Sequence, residues 1–282
     1  MNDGALDDYL SGWRDADPQR AYAWLFLRPA ERIRFGGCEA LVHEWRKTLR
    51  EVREPQVAVA KLGWWREELN RAAGGEPRHP LTRALFADPR IRAVPLPCWT
   101  AVVDAVLLLV AASPSADFDT QRRAIAPLSA AVAELETRLW FSPPADAGRA
   151  AAVTALTDLV TDLRSLPGEV ERGRSPLPMN LLARHGLTVE QSAVDGPAQR
   201  AALRDYAQLL GDALADAATM MGPLTLFRAV ALQRDLQDVA RSARAENPLA
   251  ALRAQAAGFG TLLKTWRAAR SWRAVPHSEA NA

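Results

Sequence analysis

The stretch TDLVTDLRSLPGEVERGRSPLPMNLLARHGLT, Thr157–Thr188, sets a helical pattern beside a proline-broken turn. In its first part Leu159, Val160 and Leu163 recur at helical spacing, and Asp158 and Asp162 stand four apart. That spacing puts both carboxylates on one helix face, where they could share a divalent cation or stand as two solvated charges. Pro167, Pro176 and Pro178 then predict irregular chain through 166–180, because an interior proline removes a helix donor and clashes with the preceding turn. Arg164, Arg172 and Arg174 accompany that turn.

On either side of this stretch apolar residues recur with helical period, and short alternating β-branched runs are missing, so the fold class is all-α. A first helix is expected from about Leu6. PQRAYAWLFLRP follows, bounded by Pro18 and Pro29, and AERIRFGGCEALVHEWRKTLREV continues as one long helix if Gly36 and Gly37 are tolerated inside it. QVAVAKLGWWREELNRAAGG is amphipathic and stops at Gly74 and Gly75, as a helix C-terminus does. WTAVVDAVLLLVAA, Trp99–Ala112, is too short to cross a bilayer and carries Asp104, which makes it a buried core helix. SPSADFD reads as a loop with a new N-cap, and SPPADAG as a second break. Three further helices are expected, the last spanning PLAALRAQAAGFGTLLKTWRAARSW. With no repeat and no linker, residues 1–272 read as one helical domain, and 273–282 as a disordered tail.

Composition narrows the function. Formal charge is +2 with acids and bases interspersed, which leaves no nucleic-acid footprint. Lysine is confined to Lys47, Lys61 and Lys264, so nearly all positive charge is arginine. Cys38 and Cys98 lie far apart without metal-ligand spacing, and the acidic N-terminus lacks a signal pattern. The expected location is cytoplasmic, with peripheral contact at the inner membrane left open. His43, His79, His185 and His277 are scattered, and no nucleophile elbow or phosphate loop occurs. Two other carboxylate pairs, Asp212/Asp216 and Asp235/Asp238, share helical spacing, and a solvated face explains them by spacing alone. Trp24, Phe26, Trp64 and Trp65 either fill the core or line a cavity, and helical spacing favours the core.

GRSPLPMNLLARHGLT, Gly173–Thr188, resembles the GR.YLP.dLL..HGl segment of the squalene/phytoene synthase family. FLRPAERIRFGGCEALVHEW, then VAVAKLGWWREELNRAAGGEPRHPLTRAL, then LKTWRAAR extend the resemblance in family order over most of residues 20–270. The resemblance implies an isoprenoid-synthase-type helical bundle around a central cavity. In active members it implies two aspartate-rich motifs on facing helices that hold Mg²⁺ and bind an allylic diphosphate. Diphosphate departure and head-to-head joining of two prenyl chains follow there, aided by cations that offset the leaving group's charge.

The chain departs from the family pattern at those motifs. Where the first motif resembles DDxxD, the chain reads CEALVHEWRKTLRE, with Glu44 the only acid near the right place and Arg46 and Lys47 beyond it. Aligned back from Gly173 and Arg174 without gaps, the second motif's acids fall on Ser165 and Glu169. Aligned forward, Asp158 and Asp162 take its first positions, and three extra residues intervene before the turn. LRSLPGEVERGRSPLP is similar to the branch that includes the respiratory complex I assembly factor, for which no synthase activity is implied. The expectation is therefore a family member without Mg²⁺-dependent ionisation, acting as a scaffold, assembly or lipid-binding protein. A protein partner and an isoprenoid or other lipid ligand are open to it. The alternative is an active head-to-head prenyltransferase with Mg²⁺ on Glu44, Asp158, Asp162 and Glu169, Asp158 and Asp162 catalytic, and Arg164 and Arg174 on the diphosphate.

Overall fold

The computed structural model describes residues 3–16, 18–141, 146–254 and 259–274. In chain order the helices are α1 (Asp3–Asp15), α2 (Pro18–Leu25), α3 (Pro29–Glu31), α4 (Gly37–Glu51), α5 (Pro55–Ala73), α6 (Pro80–Phe86), α7 (Pro89–Arg92) and α8 (Leu96–Val110). They continue as α9 (Phe118–Trp140), α10 (Gly148–Arg164), α11 (Leu166–Glu171), α12 (Met179–Arg184), α13 (Pro197–Thr219), α14 (Leu226–Ser242), α15 (Pro248–Arg253) and α16 (Phe259–Ala274). No strand occurs among the described residues.

Local chemistry sets these boundaries. Proline leads α5, α6, α7, α13 and α15, where its missing N–H costs nothing and its fixed φ suits the first turn. Asp117 caps α9 by accepting from Thr120 N at 2.7 Å, and Thr225 caps α14. Gly36 and Gly37 do stay inside helical chain, through a π-helical turn at Arg32–Gly36 that joins α3 to α4. A Cβ on Gly36 would overlap the Trp24 ring, so this close approach requires glycine.

Two expectations are corrected. The segment 166–180 holds one short helix, α11, and the first residues of another, α12, with irregular chain between them. Pro167 stands in the first turn of α11, where no donor is lost, and Pro178 precedes α12 as its cap residue. The last expected helix is two, α15 and α16, with residues 255–258 outside the described residues. Residues 142–145 of the SPPADAG break lie outside them too, as do 275–282 of the expected tail, and helix α16 itself runs to Ala274.

Two apolar clusters make the core. One joins α1, α2, α4, α5, α6, α8 and α9 around Trp13, Leu41, Trp45, Leu62, Trp99 and Val132; the other joins α10–α15 around Leu156, Leu163, Leu203, Tyr206 and Leu210. Leu109 packs against both. Trp24 and Trp65 are buried in the first cluster, Phe26 packs against it, and Trp64 is exposed.

The α5–α6 connection is held by one carboxylate. Glu68, fully buried, accepts from Arg78 N at 2.7 Å, His79 N at 2.8 Å and Thr82 Oγ1 at 2.6 Å, and pairs with Arg71 at 3.1 Å. His79 in turn lies 4.6 Å from the rings of both Tyr9 and Trp65, and its Nδ1 accepts from Leu81 N. The WWREEL and HPLTRAL words thus meet as one structural joint.

Candidate functional site

Helices α4 and α10 face one another where the two apolar clusters meet. Arg46 and Arg50 stand four apart on α4, as Asp158 and Asp162 do on α10, so two helix faces of matching period oppose each other. Arg46 Nη2 donates to Asp158 Oδ2 at 2.6 Å, with both side chains buried. One turn on, Arg50 Nε and Nη2 donate to Asp162 Oδ1 at 3.2 and 3.0 Å. A third rung follows in the turn after α11, where Arg174 Nη2 lies 2.6 Å from Glu169 Oε2. Arg174 Nη1 also donates to the Leu49 carbonyl, which ties that turn to the C-terminal end of α4.

The three rungs wall a cleft of about 160 Å³. Leu49, Leu109, Ile125, Leu128 and Leu159 form much of its apolar surface. Behind it a smaller cavity of about 30 Å³ shares Arg46 and Asp158 and is bounded by Glu39, Arg228 and Arg234. The cleft roof is held by a buried relay: Tyr206 donates to Gln121 Oε1 at 2.7 Å, and Gln121 Nε2 donates to the Pro176 carbonyl at 2.7 Å.

Burial governs the charges. It raises Asp162 above the usual carboxylate range despite Arg50, and raises Glu169 despite Arg174. It depresses the Arg46 guanidinium, which Asp158 only partly restores. For Arg50 burial acts in the same direction, but Asp162, Asp158 and Glu169 together outweigh it and hold the group above its usual value. Deeper in, Glu136 accepts from Arg228 Nε at 2.9 and 3.0 Å, and Glu39 Oε2 lies 3.6 Å from Arg228 Nη2. Burial pushes Glu136 up to about 7, the neighbouring Glu39 adding to the shift and the Arg228 guanidinium opposing it.

The residues expected from sequence are thus only partly brought together. Asp158, Asp162, Glu169 and Arg174 line the cleft. Glu44 does not: it lies on α4 with Lys47 Nζ 4.0 Å from its carboxylate. Arg164 is also elsewhere, donating to Asp235 and Asp238 at 2.7 Å each and to the Leu252 carbonyl at 3.4 Å. Asp235 and Asp238 are accordingly buried partners of α10 and not a solvated face, whereas Asp212 and Asp216 are exposed. Arg46 and Arg50 are the site residues that sequence reasoning missed as partners, although i,i+4 arginines opposite i,i+4 aspartates are a readable pattern once the two helices are known to face.

Mg²⁺ requires near-octahedral oxygen coordination with carboxylate oxygens free to give it. Here Asp158 Oδ2, Asp162 Oδ1 and Glu169 Oε2 each lie against a guanidinium. Among the described residues no group of three or more His, Cys, Asp or Glu side chains is placed to hold a metal ion. As arranged, an ion would have to compete with a guanidinium at each of the three carboxylates.

Comparisons with known proteins agree with the all-α fold. The squalene/phytoene synthase family model matches residues 13–268. A crystal structure of a dehydrosqualene synthase in complex with ligand superposes with a TM-score of 0.71 at 11% identity, covering 97% of this chain and 98% of that one. A crystal structure of squalene synthase HpnC from Alicyclobacillus acidocaldarius gives 0.59 at 15% identity, with 95% of each chain covered. No curated protein matches by sequence. No helix among the described residues is long and apolar enough to cross a membrane.

Proposed function

The chain belongs to the squalene/phytoene synthase family, and from that premise we propose that it is a member without Mg²⁺-dependent ionisation of prenyl diphosphates. It keeps the helical body as a scaffold and lipid-like ligand site that acts with a protein partner. The observation that carries this reading is the pairing of Arg46 with Asp158 and Arg50 with Asp162 across α4 and α10. In active members the facing helices carry acids on both sides. Here one side is cationic, so each carboxylate already holds a guanidinium on one oxygen. Freeing two of them for a metal would strand two guanidinium groups, one deeply and one partly buried, a cost of several kcal/mol each by the usual penalty for an uncompensated buried ion.

Peripheral membrane contact belongs to the same proposal. It is supported by exposed Val57 and Val59 at the start of α5 and exposed Leu108 near the end of α8, next to the cleft residue Leu109. Incubation with Mg²⁺ and farnesyl or geranylgeranyl diphosphate tests the reading. The expected result is no release of diphosphate. Release with a head-to-head product, lost in Asp162→Ala, would establish the prenyltransferase reading in its place.

A further inference from the structure

We propose that the exposed face of α14–α16 is a docking surface for an anionic lipid bilayer. The membrane contact put forward above rests on apolar residues of α5 and α8. This inference goes beyond it by naming a different face and the charge of the lipid that the face takes.

Charge is unevenly placed along the chain. Residues 226–274 hold nine arginines and lysines against three acids, while the remainder is net acidic. Arg228 and Arg234 are buried, on Glu136 and Asp235. Arg241, Arg244, Arg253, Lys264, Arg267 and Arg270 are exposed. Of the acids, Asp235 and Asp238 are buried, which leaves Glu246 as the exposed carboxylate among the described residues of this segment.

These cations form one strip. Helix α16 contains no acid, and its Thr265 and Ala269 are buried against the body. Lys264 Nζ donates to Gln237 Oε1 of α14 at 2.7 Å. Gln237, Arg241 and Arg244 follow at i, i+4 and i+7 along α14 and line one shallow groove. Arg241 in turn donates to the Ala251 and Ala254 carbonyls, on either side of Arg253 in the chain. The strip therefore runs from α16 across α14 to the end of α15.

An aromatic side chain points to a bilayer in preference to other polyanions. Trp266 is 42% exposed beside Arg267, with the Arg270 guanidinium 5.6 Å from its ring centre. An indole flanked by cations suits the head-group region, which accommodates both ring and charge. Each cation held at an anionic leaflet strengthens binding about fivefold, and salt screens the attraction.

Flotation of the full chain with vesicles tests this, using phosphatidylcholine alone and phosphatidylcholine mixed equally with phosphatidylglycerol. Binding to the mixed vesicles is expected to be at least about twentyfold tighter, and to weaken about tenfold at about 0.3 M salt. The double variant Arg267→Glu with Arg270→Glu should lose about twentyfold or more on mixed vesicles, with a thermal melt to show that it folds. Equal binding to both vesicle types, or full binding by the double variant, overturns the proposal and leaves the α5–α8 contact standing. No binding to either vesicle overturns both. A short DNA duplex bound more tightly than the mixed vesicles assigns the strip to nucleic acid and overturns the proposal as well.

Discussion

Glu68 and Asp162 are both carboxylates on helices of the same fold, and they are satisfied in opposite ways. Glu68 is fully buried, and burial alone would push its carboxyl up. Hydrogen bonds from His79 N, Thr82, Arg78 N and Arg71 outweigh this and hold it below the usual range. Asp162 keeps a single arginine partner, and burial leaves it above that range. A carboxylate wrapped in backbone donors fixes chain geometry, whereas one matched by a movable guanidinium fills a place where charge must be neutralised. The α5–α6 joint therefore preserves architecture, and the α4–α10 ladder closes a site.

The sharpest way to break that contrast is at the joint. Glu68→Ala strands the Arg78 and His79 N–H groups and unpairs Arg71, and about 4 kcal/mol or more of stability should be lost, read as the shift in the urea midpoint. At the ladder, Arg46→Ala leaves Asp158 buried and alone, with an expected cost of about 3–5 kcal/mol. The double variant Arg46→Met with Asp158→Leu should recover more than half of that, because well-packed apolar residues replace an ion pair at little net cost. If the double variant is no more stable than the single, the ladder contributes stability beyond mutual neutralisation and the contrast fails. A smaller effect is expected at the cleft roof. Tyr206→Phe removes the donor to Gln121 Oε1 and should cost about 1–2 kcal/mol.

How much of this was legible in sequence follows from how far each signal reaches. The all-α class, the capping at Asp117 and the glycines within the α3–α4 run are local and could be read from spacing. Pro167 was read as a breaker because its value at a helix first turn depends on where the helix begins. The ladder was illegible because Arg46 and Asp158, like Arg50 and Asp162, are 112 residues apart, and no periodicity reports which helix faces which. Asp235 and Asp238 looked like surface charges for the same reason: their partner Arg164 lies 71 and 74 residues away.

The pH dependence should show the buried triad of Glu39, Glu136 and Arg228. Glu136 is pushed up to about 7 in the folded state, above its unfolded value of 4.5, so the native state binds the extra proton between those values. Its contribution to stability is fully present below pH 4.5 and is lost as pH rises through 7. His79, depressed to about 4 by burial, acts in the opposite sense between pH 4 and 6.5. The informative quantity is therefore the difference between wild type and Glu136→Gln. The wild-type melting temperature should fall more steeply from pH 5 to 7.5 than the variant's, and equal slopes would remove Glu136 from the account.

The central claim is that the cleft carboxylates are held by arginines and not available to a divalent ion. Titration with Mn²⁺ as a spin-active substitute for Mg²⁺, followed by electron paramagnetic resonance of the free ion, tests this most directly. The account expects no saturable site at about millimolar Mn²⁺, the upper end of ordinary weak-site affinities. A stoichiometric site that disappears in Asp162→Asn would contradict it.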